Sequence, residues 1–126
     1  MRSPKRGQIF RLKSDLVGKP RPVVVVSPTH LNGGNSLLAV PFFGGQIERR
    51  KLLRTCVFFK AGESGLEKDC VAKADNVSLF RLSELRMVEG PVGEVTLARM
   101  DAISAALAYS LGILLPQQPE SNEPLA

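Results

Sequence analysis

Short apolar bursts punctuated by Gly, Pro and Asn fill most of the chain, and a helical period replaces them near the end. Gly7–Lys13 sets Phe10 and Leu12 between polar residues, the period of a strand with one solvated face. Val23–Val26 is a β-branched run closed by Ser27-Pro28, which predicts a strand buried on both faces. After the Asn32-Gly33-Gly34-Asn35 turn, Leu37–Val40 predicts a strand that Pro41 ends. Gly44-Gly45 then opens a flexible basic stretch through Glu48-Arg49-Arg50-Lys51 to Arg54. Strand composition returns at Thr55–Phe59, Cys70–Ala74 and Val77–Leu82, with a turn at Gly62–Gly65 and a break at Asp75-Asn76. Val88 and Val92–Val95 flank a bend at Gly90-Pro91.

From Leu97 the apolar residues fall at 97, 100, 103, 107 and 111, the spacing of one helix face. Thr96 suits the N-cap, Val95 and Met100 suit the hydrophobic staple, and Gly112 can close the helix ahead of Pro116. That face reads as core or as a dimer contact. Ser14–Pro20 reads as a loop and Gln117–Ala126, polar and Pro-rich, as a disordered tail. The expectation is a mainly β (α+β) fold in one domain over residues 1–115, with a tail over 116–126. Five to seven antiparallel strands would form a curled sheet capped by a C-terminal helix.

Composition narrows the class. In 126 residues, 44% are hydrophobic and 23% charged, an ordinary globular balance. The longest apolar runs, Val23–Val26 and Ile113–Leu115, fall far short of the roughly 20 residues of a membrane helix. The basic start Met1-Arg2-Ser3-Pro4-Lys5-Arg6 is followed by no apolar signal region, so a cytoplasmic location with Cys56 and Cys70 as free thiols is expected. Two cysteines and the lone His30 make no zinc site, and no carboxylate cluster appears at ligand spacing, so neither metal nor cofactor is expected.

Charge changes the picture more. The net charge of +5 divides into twelve basic and two acidic residues over 1–60, against five basic and ten acidic over 61–126. A front half of that kind either meets a polyanion or is a solvated basic surface. In Lys19-Pro20-Arg21-Pro22 the prolines stiffen the backbone and bias Arg21 toward an extended conformation. The guanidinium then serves phosphate recognition, or is an edge-strand arginine between gatekeeper prolines. Lys73 and Asp75, two residues apart on an extended segment, share a face as an acid and a base on one bound group, or as a surface ion pair.

Several blocks resemble one family. Arg6-Gly7-Gln8-Ile9-Phe10 is similar to an opening R-G-E-I-W, and Lys19-Pro20-Arg21-Pro22-Val23-Val24-Val25-Val26-Ser27-Pro28 to K-x-R-P-V-V-V-V-S-P. Val40-Pro41-Phe42-Phe43-Gly44-Gly45 resembles V-P-[VLI]-T-S, and Ser64-Gly65-Leu66-Glu67-Lys68-Asp69-Cys70-Val71 resembles s-G-L-x-K-[DN]-S-V. Lys73-Ala74-Asp75-Asn76 is similar to R-C-D-Q. In this order and at this spacing the blocks resemble the MazF/PemK (Kid) toxin endoribonucleases of toxin–antitoxin pairs.

The resemblance implies an SH3-like or CcdB-like barrel with a C-terminal helix and a homodimer. It implies metal-independent, sequence-specific cleavage of single-stranded RNA to 2′,3′-cyclic phosphate and 5′-OH ends. A cognate antitoxin would place an acidic segment in the basic groove and form a DNA-binding complex with the toxin, relieving growth inhibition. Arg21 matches the arginine given acid/base work and phosphate stabilisation, Asp75 a proposed general base, and Lys73 the site of a proposed general-acid arginine. Lys19, Phe42, Phe43, Gln46, Arg49, Arg50, Lys51, Arg54 and Asn76 would bind RNA by stacking and phosphate contacts. Phe43 stands where the V-P-x-T hydroxyl belongs, Asn76 replaces the glutamine, Ser78 a frequent arginine, and the Ser14–Gly18 loop is short. The loss of that hydroxyl favours a second reading, a non-cleaving binding protein of the same fold: a degenerate toxin or one directed at a topoisomerase.

Overall fold

The valine run organises the fold from its centre. In the computed structural model, which describes residues 3–13 and 21–114, β2 (Pro22–Val25) lies between β1 (Gln8–Arg11) and β3 (Ser36–Phe43), antiparallel to both. Val23 and Val25 join Phe10, Leu37, Ala39 and Leu85 in one apolar cluster. Val24 and Val26 join Val40, Phe42, Phe59 and Ile103 in another. The sheet therefore has a core on each side, as the uninterrupted run predicts. Burying each such valine side chain contributes roughly 1.5–3 kcal/mol.

β3 serves three partners. One edge pairs with β2, while the other pairs first with β6 (Ser78–Arg81) and then with β5 (Cys70–Lys73). β5 continues to β4 (Cys56–Phe59) and β1 to β7 (Gly93–Glu94), giving the order β4-β5-β3-β2-β1-β7 with β6 on the side of β3. β7 is pressed on the Glu63–Gly65 turn so closely that a Cβ on Gly93 would lie 1.8 Å from the Ser64 carbonyl oxygen, which only glycine avoids.

Three sequence expectations change. Pro41 does not end β3: it faces Val23 in register, at the point where the other edge passes from β6 to β5. An interrupted ladder tolerates a residue without an N–H. β1 lacks a solvated face, because Ile9 is fully buried opposite Phe10 and Leu12. The basic stretch after Gly45 is not shapeless: Ile47–Arg50 forms a helical turn, α1, entered through Gln46 at φ 52°.

The C-terminal helix α2 (Leu97–Leu111) starts as predicted, with Thr96 Oγ1 accepting the Arg99 N–H, and ends at Gly112 in the left-handed conformation. Its buried face differs from the predicted stripe. Met100, Ile103, Ala106 and Ala108 enter the core, while Leu97 and Leu111 stay 83% and 62% exposed. Small alanines let the helix lie close on β4 and on the Ala74–Asn76 turn. Among the described residues no helix is long and apolar enough to cross a membrane, and Cys56 and Cys70 are buried free thiols. The Ser14–Pro20 loop, with Lys19, and the 116–126 tail lie outside the described residues.

Candidate nucleic-acid interface

Alternation along β3 separates two neighbouring phenylalanines. Phe42 points into the α2-side core, 2% exposed and edge-on to Phe59 with ring centroids 5.3 Å apart. A buried ring cannot stack on RNA, which corrects the expectation for Phe42. Its backbone is what reaches the site: Arg21 Nη1 donates to the Phe42 carbonyl at 3.1 Å. Phe43, the last residue of β3, emerges on the opposite face, where the Arg21 guanidinium lies 4.4 Å from its ring centroid. Arg50 of α1 lies 5.5 Å from the same ring and donates through Nη1 to the Gly45 carbonyl at 3.3 Å, its Nε buried without a hydrogen-bond partner. The electron-rich face of one ring thus gathers two guanidiniums that would otherwise repel.

The rest of α1 extends this cationic surface. Arg49 donates from Nε to Gln46 Oε1 at 3.0 Å, and both side chains are exposed. Lys51 pairs with Glu48 at 3.0 Å and sits 5.5 Å from the Phe58 ring. Phe58 pairs across strands with Val71, and Val71 with Phe43. Phe58, Val71, Phe43 and Arg21 therefore form one row across the sheet, with α1 beside it.

At the end of β5 lies the second group. Lys73 was expected to meet Asp75 along an extended segment, but the chain turns at once into a 3-10 turn over Ala74–Asn76. That turn brings Lys73 Nζ 3.0 and 3.1 Å from the two Asp75 carboxylate oxygens and 3.1 Å from Asn76 Oδ1, engaging all three ammonium donors. Ala74, buried beneath α2, donates its N–H to the Thr55 carbonyl at 2.8 Å and so fixes the turn. Alternation places Lys73 on the face of Val71 and Phe43. Two strand spacings across and two residues along separate Arg21 from Lys73 by about 12 Å at Cα, a gap both long side chains can close onto one phosphodiester.

Arg54 stands apart from α1: its guanidinium lies 4.3 Å from the ring of Tyr109 on α2. Tyr109 carries no site signal of its own in the sequence, where the spacing along α2 reads as core or dimer contact. Only its position between stripe residues 107 and 111, as the chain's one tyrosine, sets it apart. Cys70 belongs to the core: burial, then Asp69 and Glu63, push its thiol up to about 11. A cavity lined by Lys13, Leu82, Leu85, Arg86, Met87 and Val88 contains none of the candidate residues. Among the described residues no three His, Cys, Asp or Glu side chains gather as a metal-binding set.

A curled antiparallel sheet capped by a C-terminal helix, with a cationic face ending in a Lys–Asp pair, is the architecture of a small toxin domain. The chain belongs to the PemK-like, MazF-like toxins of type II toxin–antitoxin systems, whose family model matches residues 5–111. It is similar to an endoribonuclease from Mycobacterial species solved in complex with its cognate antitoxin: 30% identity over 90% of this chain and 100% of that one, TM-score 0.72. A second endoribonuclease from Mycobacterial species matches at 31% identity over 92% and 98%, TM-score 0.70. A MazE–MazF structure from Deinococcus radiodurans shares the fold at 20% identity over 90% and 100%, TM-score 0.69. Among curated protein sequences none matches.

Proposed function

We propose that this chain is an endoribonuclease toxin that cuts single-stranded RNA without a metal ion, leaving 2′,3′-cyclic phosphate and 5′-OH ends. One observation carries the reading: Arg21, held by the Phe42 carbonyl and the Phe43 ring, shares a sheet face with the Lys73–Asp75 pair. The ribose 2′-OH attacks the adjacent phosphorus, the Asp75 carboxylate takes its proton, and the P–O5′ bond breaks. Arg21 meets the charge that develops on the non-bridging oxygens. Lys73 gives a proton to the departing 5′-oxygen and holds Asp75 in place beforehand. Gln46, Arg49, Arg50, Lys51, Arg54 and Asn76 follow the RNA backbone and bases. The toxin domain spans residues 1–115 and acts as a cytoplasmic homodimer. An antitoxin with an acidic segment silences it by covering the Arg21–Arg50 surface.

Incubating the purified chain with single-stranded RNA in EDTA tests this. Fragments with 2′,3′-cyclic phosphate ends are expected from the natural chain and not from Arg21→Ala. Absence of cleavage, or equal cleavage by the variant, overturns the enzyme reading. Phe43 favours the alternative, a non-cleaving binder, because its ring supplies no hydroxyl. RNA binding with intact ends is the result that alternative expects.

A further inference from the structure

Tyr109 has no part in the chemistry above, yet it borders it. Its side chain stays 50% exposed on a helix whose inner face is core, and it carries the Arg54 guanidinium at 4.3 Å. Thr55, the next residue after Arg54, accepts the Ala74 N–H at 2.8 Å, the bond that fixes the Lys73–Asp75–Asn76 turn. α2 packs on that same turn. The site residues run across the sheet in one direction: Arg21 at β2, Phe43 on β3, Lys73 on β5, and Arg54 just before β4. Three strand spacings across and four residues along separate Arg21 from Arg54 by about 20 Å at Cα, while Asp75 lies beside Arg54 in the register of β4 and β5. α2 packs on the sheet face opposite Phe43 and Lys73, so a single strand with its scissile phosphate between Arg21 and Asp75 reaches Arg54 and Tyr109 by rounding the β4 edge beside the Ala74–Asn76 turn.

Resting on the proposed RNA cleavage, we infer that Arg54 and Tyr109 form a nucleobase subsite on the Asp75 side of the scissile phosphate. A ring and a guanidinium held face to face present flat surfaces on which any base stacks, with the charge of Arg54 available to the adjoining phosphate. Phe43, by contrast, already carries two guanidiniums. The subsite is built from a position on α2 and a residue after α1, so it forms only when the C-terminal helix is docked.

The test begins by mapping the wild-type cleavage site on a short RNA. The same RNA is then made with a 2′-deoxyribose at the cut nucleotide and one abasic residue at each flanking position in turn, and binding to the full chain is read by fluorescence anisotropy. Wild-type affinity is expected to fall roughly 10-fold when one particular flanking base is missing. Tyr109→Ala binds intact RNA roughly 10-fold more weakly and ignores that missing base, while Tyr109→Phe matches wild type. An abasic profile unchanged in Tyr109→Ala overturns the subsite, as does a uniform loss accompanied by a change in oligomer mass. If wild type neither cuts nor binds RNA, the parent reading fails. If wild type does both and only the Tyr109 pattern is absent, the subsite alone fails.

Discussion

Arg21 rests 4.4 Å from the centre of the Phe43 ring and donates to the carbonyl of the residue before it. One β-strand end therefore holds the guanidinium in two ways, through its backbone and through an aromatic face. The ring is the surface against which this arginine lies. The contact makes Phe43 a positioning residue for Arg21.

Adjacent substitutions separate positioning from packing. Phe43→Ala is expected to cut the RNA cleavage rate roughly 10-fold, the scale of a lost cation–π contact, with a wild-type urea midpoint. Phe42→Ala removes a core ring and costs about 3–5 kcal/mol of stability. Measuring both quantities on both variants decides the matter. A Phe43→Ala chain that cuts normally, or that unfolds as Phe42→Ala does, removes the positioning role.

Asp75→Asn keeps the shape of the side chain and discards the proton acceptor. Its ion pair with Lys73 is partly exposed, so the substitution costs at most about 1 kcal/mol in folding. Cleavage should fall by about 10²–10⁴-fold. Initial rates at matched melting temperature check this, and a rate within a factor of about three of wild type removes Asp75 from the chemistry.

Salt reads the cationic surface directly. Each single-strand phosphate neutralised adds about 0.7 to the slope of log affinity against log salt. Lys51→Gln or Arg49→Gln should each lower that slope by about 0.7 and leave the cleaved sequence unchanged. A titration from low to high potassium chloride gives the slope, and unchanged slopes would place these side chains off the RNA path.

Cys70 supplies a stability test. Burial raises its thiol from 9.0 to about 11, so the folded chain keeps a proton that the unfolded chain releases in that interval. The associated stabilisation is complete below pH 9.0 and is lost as pH rises toward about 11. Urea midpoints at about pH 8 and about pH 10.5 should therefore fall further for wild type than for Cys70→Val. Equal falls would place the thiol in solvent.

Elements with a strong local pattern were legible in the sequence. Val23–Val26 announced a strand buried on both faces, and Thr96 and Gly112 marked both ends of α2. Pro41 misled because whether a missing N–H matters depends on which strand lies alongside, and that is set by β5 and β6, far off in sequence. α1 was hidden because four mostly charged residues have no apolar period to detect. Phe42 and Phe43 were inseparable in an apolar run that does not alternate; only the register assigns one to the core and one to Arg21. Lys73 and Asp75 met as their spacing suggested, by a turn rather than by a shared strand face. Tyr109 was concealed by a helix whose packing alanines shifted the expected stripe.

β3 is bonded to β2, β5 and β6 and lines both cores. The cationic site is thereby made from segments distant in the chain: Arg21 meets Phe43 only through the pairing of β2 with β3, and Lys73 joins that face only through β5. A growing chain that has not yet released Asp75 from the ribosome, or one whose sheet has opened, holds every arginine of the front half and none of their geometry. The cationic face is thus tied to the completion of folding, and before the sheet closes it does not exist.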